Sequence, residues 1–232
     1  MNQPQASAEM FRSSWSLYDT VVGHNYMFHR EIQKCIHDAL GARRTNGGYS
    51  LLDLGCGNAR SVAACAGDCP PVRYEGVDLS PAALAEAAGN LRSWPSVTLQ
   101  EQDMLTKAQS VPASSFDVVY SSFAMHHLDV AGKERLLAAC VRLLKPGGTF
   151  LLVDVLREEG ETREQFLENY FRIVRAKWTA ITPAQVEEIY RHVSTFDFPE
   201  TFRTLAEMAR RSGFHDAQML GKFEAHEVLR FA

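Results

Sequence analysis

Short apolar segments alternate with helical patterns from residue 49 to residue 155, and this alternation limits the fold more than any other feature. The sequence indicates five strands, at YSLLDLG, VRYEGVD, SVTLQEQ, FDVVYSS and TFLLVDVL. Their nearly continuous Val and Leu character is typical of strands buried on both faces of a sheet. Helices between successive strands provide the crossovers that parallel pairing requires. We therefore predict an α/β sandwich with a mostly parallel sheet.

Local signals place several of the helices between these strands. Ser80 followed by Pro81 predicts a helix start, with serine as N-cap and proline in the first turn. A later helix is indicated by apolar residues that recur at helical spacing between Leu136 and Leu144. We expect Pro146-Gly147-Gly148 to end that segment before the fifth strand begins at Thr149.

The helical and strand patterns predict one domain over residues 1–232, with its α/β core at 49–155. Residues 1–40 would form an N-terminal helical cap. Residues 157–196 hold two amphipathic helices, the second opened by the capping box Thr182-Pro183-Ala184-Gln185. This insert is interpreted as a substrate cover, with mere decoration of the fold left as the alternative. Residues 197–232 predict a helix and a hairpin formed by DAQMLGKF and EVLRFA.

Composition restricts the classes of partner. The 24 Lys and Arg residues against 28 Asp and Glu argue against broad electrostatic binding of nucleic acid. We find no apolar segment of about 20 residues that could cross a bilayer, and no signal peptide at the N-terminus. A cytoplasmic location without a membrane partner is therefore expected. The five cysteines lack paired metal-ligand spacing and are interpreted as free thiols.

Acidic residues follow three successive predicted strands. Asp53 precedes a turn in which Gly55 and Gly57 allow tight backbone curvature and close approach of a ligand. Asp78 follows the second strand, at a distance where a carboxylate accepts hydrogen bonds from ribose hydroxyls. Asp103 follows the third, where it could accept from an adenine amino group. Because parallel strands end at one edge of the sheet, these carboxylates should form a row there.

The segments LLDLGCGNAR, EGVDLSP, QDML, FDVVYSSFAMHHL and LLKPGGTFLLVD resemble, in this order, the motifs of the class I S-adenosylmethionine-dependent methyltransferases. The resemblance implies a Rossmann-like sandwich with a seven-stranded sheet and an antiparallel last strand. It also implies S-adenosylmethionine as cofactor. The residues that it assigns to the methionine, ribose and adenine parts of the donor are Asp53, Gly55, Cys56, Gly57, Asp78, Leu79, Asp103, Met104 and Ser121.

Two adjacent histidines follow the fourth strand. His126 and His127 lie near the expected position of the transferred methyl group, where a neutral imidazole could act as a general base. Orientation of a loop or contact with the donor is the alternative for both residues. We predict no metal site, because adjacent side chains point apart on an extended chain and a third ligand at suitable spacing is lacking.

Aromatic and cationic residues outside the core are candidates for enclosing the ligands. Tyr18 and Tyr26 are predicted to contact the donor, with packing of a helix against the sheet as the alternative. The candidates for binding an acceptor are Trp15, His29, Tyr170, Arg172 and Trp178, although a solvated charged face is the ordinary explanation of the arginine.

We therefore predict an S-adenosylmethionine-dependent methyltransferase that acts on a small molecule by in-line displacement. A nicotinamide-dependent oxidoreductase is the first alternative. It is disfavoured because Arg60 stands where the third glycine of GxGxxG is required. A catalytically silent donor-binding or scaffold protein of the same fold is the second. The acceptor, the methylated atom and the oligomeric state do not follow from the sequence.

Overall fold

The computed structural model describes residues 15–41, 43 and 47–232, without the side chains of residues 15, 16 and 18. Within this part of the chain, seven strands form one sheet in the order β3-β2-β1-β4-β5-β7-β6. The strands β1 to β5 pair in parallel, whereas β7 runs antiparallel to both β5 and β6. Their bounds are β1 Ser50–Leu54, β2 Arg73–Asp78, β3 Val97–Glu101, β4 Phe116–Ser122, β5 Leu144–Val155, β6 Ala217–Phe223 and β7 His226–Phe231. The predicted sandwich and its C-terminal hairpin are confirmed.

Helices connect these strands and cover the sheet. Those before and within the core are α1 Trp15–Gly23, α2 His29–Gly41, α3 Arg60–Ala66, α4 Pro81–Asn90, α5 Met104–Ser110 and α6 Val130–Leu143. The insert consists of α7 Arg163–Lys177 and α8 Pro183–Phe196, and α9 Phe202–Ser212 precedes the hairpin. Ser80 caps α4 as predicted, since its side chain accepts a hydrogen bond from Ala83 N. The predicted capping box at Thr182 and Gln185 is also formed.

Alternate residues of β1 divide the core between the two faces of the sheet. Leu52 and Leu54 pack on one side in a cluster that includes Phe150. Leu51 points to the other side, where it packs with Ile36 of α2. These five side chains are fully buried, each with 0 % of its surface exposed. Burial on both faces explains the continuous apolar sequence of the strand.

The fifth strand begins earlier than predicted. It starts at Leu144 rather than after Gly148, because Leu144 pairs with Phe116 of β4 and the chain then continues along the same edge. An irregularity between Phe116 and Val118 absorbs the extra residues of the KPGG segment. A Cβ atom on Gly148 would lie 2.8 Å from Lys145 O, so this bulged path requires glycine.

A third apolar cluster lies above the carboxyl ends of the strands. It joins Leu17 and Val21 of α1 to Phe166 and Phe171 of α7, and to Trp178 at the end of α7. The insert therefore packs on the N-terminal helix over one edge of the sheet. Among the described residues, no helix combines the length and the apolar character that crossing a membrane requires.

Candidate active site

A cavity of about 360 Å³ lies between the carboxyl ends of the strands and the third apolar cluster. Its floor is formed by the residues that follow β1, β2, β3 and β4, and its roof by α1, α7 and α8. Parallel α/β sheets bind ligands at this edge because the loops there diverge around the strand ends. The volume is within the range of small-molecule sites.

The turn after β1 brings backbone to the cavity wall. The amides of Gly55 and Cys56 both donate to Val77 O, at 2.9 Å each, which ties this turn to β2. Gly55 has a φ of +79°, and a Cβ atom there would lie 2.5 Å from the Cβ of Ala124. Gly57 has a φ of +51° and no heavy atom within 4 Å of the position that a Cβ would occupy. A ligand can therefore approach the backbone closely at Gly57.

The predicted row of carboxylates is present, and Asp53, Asp78 and Asp103 all line the cavity. Asp53 Oδ2 accepts from the Tyr74 hydroxyl at 2.9 Å, whereas the buried Oδ1 has no hydrogen-bond partner among the described residues. Burial raises the pKa of Asp53 to about 7, and nearby Asp78 adds to this while the Tyr74 hydrogen bond opposes it. A buried oxygen of this kind is suited to a cationic or hydrogen-bonding group of a ligand.

Asp78 is held by backbone amides at the mouth of the β1 turn. Gly57 N donates to its Oδ2 and Ser80 N to its Oδ1, each at 2.9 Å. Each oxygen retains a further lone pair for a ligand. Asp103 is the N-cap of α5, where its Oδ1 accepts from Thr106 N at 2.8 Å. Leu79 and Met104 also line the cavity.

Two histidines and two aspartates lie close together beside the 3₁₀ turn that follows β4. The 3₁₀ turn Met125–His127 follows β4 and brings the rings of His126 and His127 to a centroid distance of 4.1 Å. His127 Nδ1 lies 3.2 Å from Asp197 Oδ1 and 3.2 Å from Phe196 O. His126 is buried between Asp154, which contacts its Nδ1, and Asp197, which lies 3.6 Å from its Nε2. Burial alone would lower the pKa of His126, but these two carboxylates outweigh it and raise the pKa to about 9.

The roof of the cavity is apolar and aromatic. Its side chains come from α1, from the residues that follow it, and from the insert, and they include Leu17, Val21, Met27, Phe166, Tyr170, Trp178 and Ile189. Among the described residues, the lining contains five carboxylates and neither lysine nor arginine. His29, also in the lining, is buried, and burial lowers its pKa to about 4, so its imidazole is neutral near pH 7.

Residues 51–148 match the family model described as "Methyltransferase domain". The chain therefore carries a methyltransferase domain. It is 24% identical over 206 residues to a phosphoethanolamine N-methyltransferase of Plasmodium falciparum, which covers 84% of this chain and 73% of the relative. It is also 38% identical over 105 residues to a malonyl-[acyl-carrier protein] O-methyltransferase of Alcanivorax borkumensis, which covers 44% of this chain and 33% of that protein.

Solved structures agree with the methyltransferase fold. A SAM-dependent methyltransferase of Leishmania major superposes with a TM-score of 0.70 and 13% identity, over 99% of this chain and 82% of that one. At this identity the likeness establishes the fold alone. The nicotinamide-dependent alternative gains no support from these comparisons.

The methyltransferase brings most of the predicted site residues to one cavity. Of the predicted donor contacts, those that line it are Asp53, Gly55, Cys56, Gly57, Asp78, Leu79, Asp103 and Met104. Of the predicted acceptor contacts, His29, Tyr170 and Trp178 line it. The side chains of Trp15 and Tyr18 lie outside the described part of the chain.

Three predicted contacts lie elsewhere. Ser121 points away from the cavity because side chains alternate along β4, and its buried Oγ donates to Leu54 O at 2.8 Å while Tyr120 and Ser122 line the cavity. Tyr26 lies behind the wall, stacked on Trp178. Arg172 is exposed on α7 and contacts Asn169, so the solvated face is the correct interpretation for this residue.

Two expectations about the histidines are also wrong. His126 cannot serve as a base near neutral pH, because its raised pKa keeps the buried imidazole protonated between two carboxylates. The adjacent histidines do not point apart, since the 3₁₀ turn replaces the extended chain that we assumed. Sequence reasoning missed Asp154 and Asp197. Asp197 follows the insert, and local sequence carries no signal that would bring it to a turn after β4.

Proposed function

We propose that this methyltransferase transfers a methyl group from S-adenosylmethionine to a small, largely apolar acceptor that is neutral or cationic. The observation that carries the proposal is the row of Asp53, Asp78 and Asp103 along one cavity, at the ends of three successive strands. Three carboxylates suit a donor that has a sulfonium, an ammonium group, ribose hydroxyls and an adenine amino group. The pyrophosphate of a dinucleotide would meet like charge at the same positions.

The residues of the cavity fit such a donor. The unpaired Oδ1 of Asp53 and the open backbone at Gly57 would receive its methionine end. Asp78 would hold the ribose, and Leu79, Asp103 and Met104 would surround the adenine. The donor supplies an activated methyl group on sulfur.

The protein's contribution is to align the acceptor with the methyl group and to exclude water. The apolar roof formed by α1, α7 and α8 serves the second purpose, because its side chains bury the space above the row of carboxylates. A general base is needed only if the acceptor atom arrives protonated. His127, which lines the cavity, stays the predicted candidate for that role.

The charges of the lining support the acceptor class. A phosphate or carboxylate on the acceptor would enter a cavity whose described lining has five carboxylates and neither lysine nor arginine, and the protonated His126 is already held between Asp154 and Asp197. Burying an unpaired charge is costly, so an anionic acceptor is disfavoured. We therefore do not propose for this chain the phosphorylated acceptor that the name of the Plasmodium falciparum relative contains.

The donor site is tested at Asp78. We expect Asp78→Asn to weaken binding of S-adenosylmethionine by roughly 1–3 kcal/mol, the scale of lost charge-assisted hydrogen bonds. Isothermal titration measures this directly. Asp38→Asn is the control, since Asp38 is exposed on α2 and pairs with Lys34. Unchanged affinity in a folded Asp78→Asn protein would place the donor elsewhere.

The acceptor class is tested with a series of compounds that share one apolar scaffold and end in a hydroxyl, an amine, a carboxylate or a phosphate. Radiolabelled donor reports transfer to each compound. We expect kcat/KM for the hydroxyl or amine members to exceed that for the phosphate member by at least about tenfold, the effect of roughly 1.4 kcal/mol. Preference for the phosphorylated compound, while donor binding is intact, would refute the acceptor class and leave the donor assignment standing.

A further inference from the structure

Three imidazole nitrogens surround a single carboxylate oxygen in the cavity wall. Asp197 Oδ1 lies 3.2 Å from His127 Nδ1, 3.6 Å from His126 Nε2 and 3.9 Å from His192 Nε2. Atoms of His126, His127 and Asp197 also lie within 4.8 Å of one another. Despite this proximity, Asp197 Oδ1 has no well-aligned hydrogen-bond donor among the described residues. Three imidazole nitrogens thus approach one carboxylate oxygen, and one of them, His127 Nδ1, also lies 3.2 Å from Phe196 O.

From this convergence we propose a site for a divalent transition-metal ion of the zinc type, with His126, His127, His192 and Asp197 as ligands. Bonds from zinc to imidazole nitrogen and carboxylate oxygen are about 2.0–2.2 Å, so two ligand atoms of a tetrahedral site lie about 3.3–3.5 Å apart. The observed separations from Asp197 Oδ1 bracket this value. His126, His127 and Asp197 already form a group of three potential ligand atoms, and the ring of His192, whose Nε2 lies 3.9 Å from Asp197 Oδ1, would rotate toward them to supply the fourth.

Contacts outside the ligand set hold it in place. Asp154 contacts Nδ1 of His126, which is the carboxylate–histidine arrangement that directs the other ring nitrogen toward a metal. Asp154 is itself fixed, since its oxygens accept from His126 N at 3.0 Å and from Val155 N at 2.9 Å. An ion bound at Nε2 of His126 would take the place of the proton on that nitrogen.

Backbone contacts position Asp197 independently of any ion. Phe198 N donates to His126 O at 2.8 Å, which joins the segment after α8 to the 3₁₀ turn. Lys133 of α6 reaches Phe198 O and also pairs with Glu200 at 3.0 Å. The ligand set is therefore assembled by the fold from the core and the insert. An ion there would link the insert to the core beside the acceptor space.

The proposed metal site bears on the role of His127, which was also the candidate general base. A metal on Nδ1 leaves a hydrogen on Nε2, so the ring could donate a hydrogen bond to a ligand but could not accept a proton. General-base catalysis by His127 and metal ligation by the same residue exclude each other in one enzyme form.

The test uses the protein without a histidine tag, stripped with a chelator and titrated with Co²⁺ and then Zn²⁺. We expect about one Co²⁺ per chain, visible d–d absorption typical of tetrahedral nitrogen and oxygen ligation, and displacement by Zn²⁺. Zinc at about 100 times its Kd should raise the unfolding midpoint by roughly 5–10 °C. Absence of stoichiometric binding would overturn the proposal. A thiolate-to-cobalt charge-transfer band would assign the ion to cysteines and overturn it too.

Substitutions locate the ion. Asp197→Asn and His192→Gln should each weaken Co²⁺ binding at least tenfold. His29→Gln, a buried histidine of the same cavity outside the cluster, should leave it unchanged. Circular dichroism checks folding, and His192→Gln provides the test if Asp197→Asn does not fold. Equal affinity in wild type and the folded variants would overturn the assignment. Because the readout is metal binding, this result is independent of whether methyl transfer occurs.

Discussion

Asp53 is a buried carboxyl group whose ionisation depends on what occupies the cavity. Its side chain is 2 % exposed, and burial raises its pKa to about 7. The folded protein therefore binds a proton here that the unfolded chain, with a pKa of 3.8, has released. Stability conferred by this group is present below pH 4 and is lost as pH rises toward 7. A cationic ligand reverses this cost, because it favours the ionised form.

We expect the affinity for S-adenosylmethionine to rise with pH through the pKa of Asp53. If the ionised form binds the donor, the ionised fraction and hence the affinity increase roughly tenfold between pH 6 and pH 8. Isothermal titration at several pH values measures the profile. Asp53→Asn should bind the donor weakly and lose this dependence, and the variant also corrects for titration of the donor's own amino group. An identical slope in wild type and Asp53→Asn would exclude this carboxyl group as the cause.

Elements that depend on local sequence were predictable. The α4 start follows from Ser80 and Pro81, and the α8 start from the capping box at Thr182, because both use hydrogen bonds within a single turn. The strands β1 to β4 follow from apolar patterning. The predicted start of β5 was wrong because the strand begins where Leu144 pairs with Phe116, and these residues are distant in sequence.

The candidate site shows the same division between local and distant information. Its proposed donor half is built from residues at the carboxyl ends of strands, such as Asp53 and Asp78, and one parallel sheet brings these ends together. The histidine cluster needs Asp197, which reaches the cavity through the backbone contact of Phe198 with His126. Such a tertiary contact leaves no periodicity in the sequence. The helix α5 was overlooked although Asp103, already chosen as a donor contact, is also its N-cap.

The whole molecule closes its cavity by joining two segments that are far apart in the chain. The ring of Tyr26 stacks on Trp178 with a centroid distance of 5.1 Å and an interplanar angle of 6°. Its hydroxyl oxygen accepts a hydrogen bond from Ala180 N at 2.8 Å. Trp178 lines the cavity and Tyr26 supports it from behind. The N-terminal helices and the insert therefore form one roof, separate from the carboxylates that would hold the donor.

Tyr26→Ala should loosen this roof without disturbing the proposed donor site. Loss of stacking and of one hydrogen bond removes about 1–3 kcal/mol from the closed arrangement. We expect KM for the acceptor to rise about 5- to 150-fold, cleavage of residues 157–196 by protease to accelerate, and Kd for S-adenosylmethionine to change by less than about twofold. Tyr26→Phe, which keeps the ring, should lie close to wild type. Tyr190→Ala is a matched control, since Tyr190 packs on Phe171 outside the cavity. Tyr26→Ala could instead weaken donor binding as much as acceptor binding. The roof and the donor site would then be energetically coupled, which would contradict this prediction.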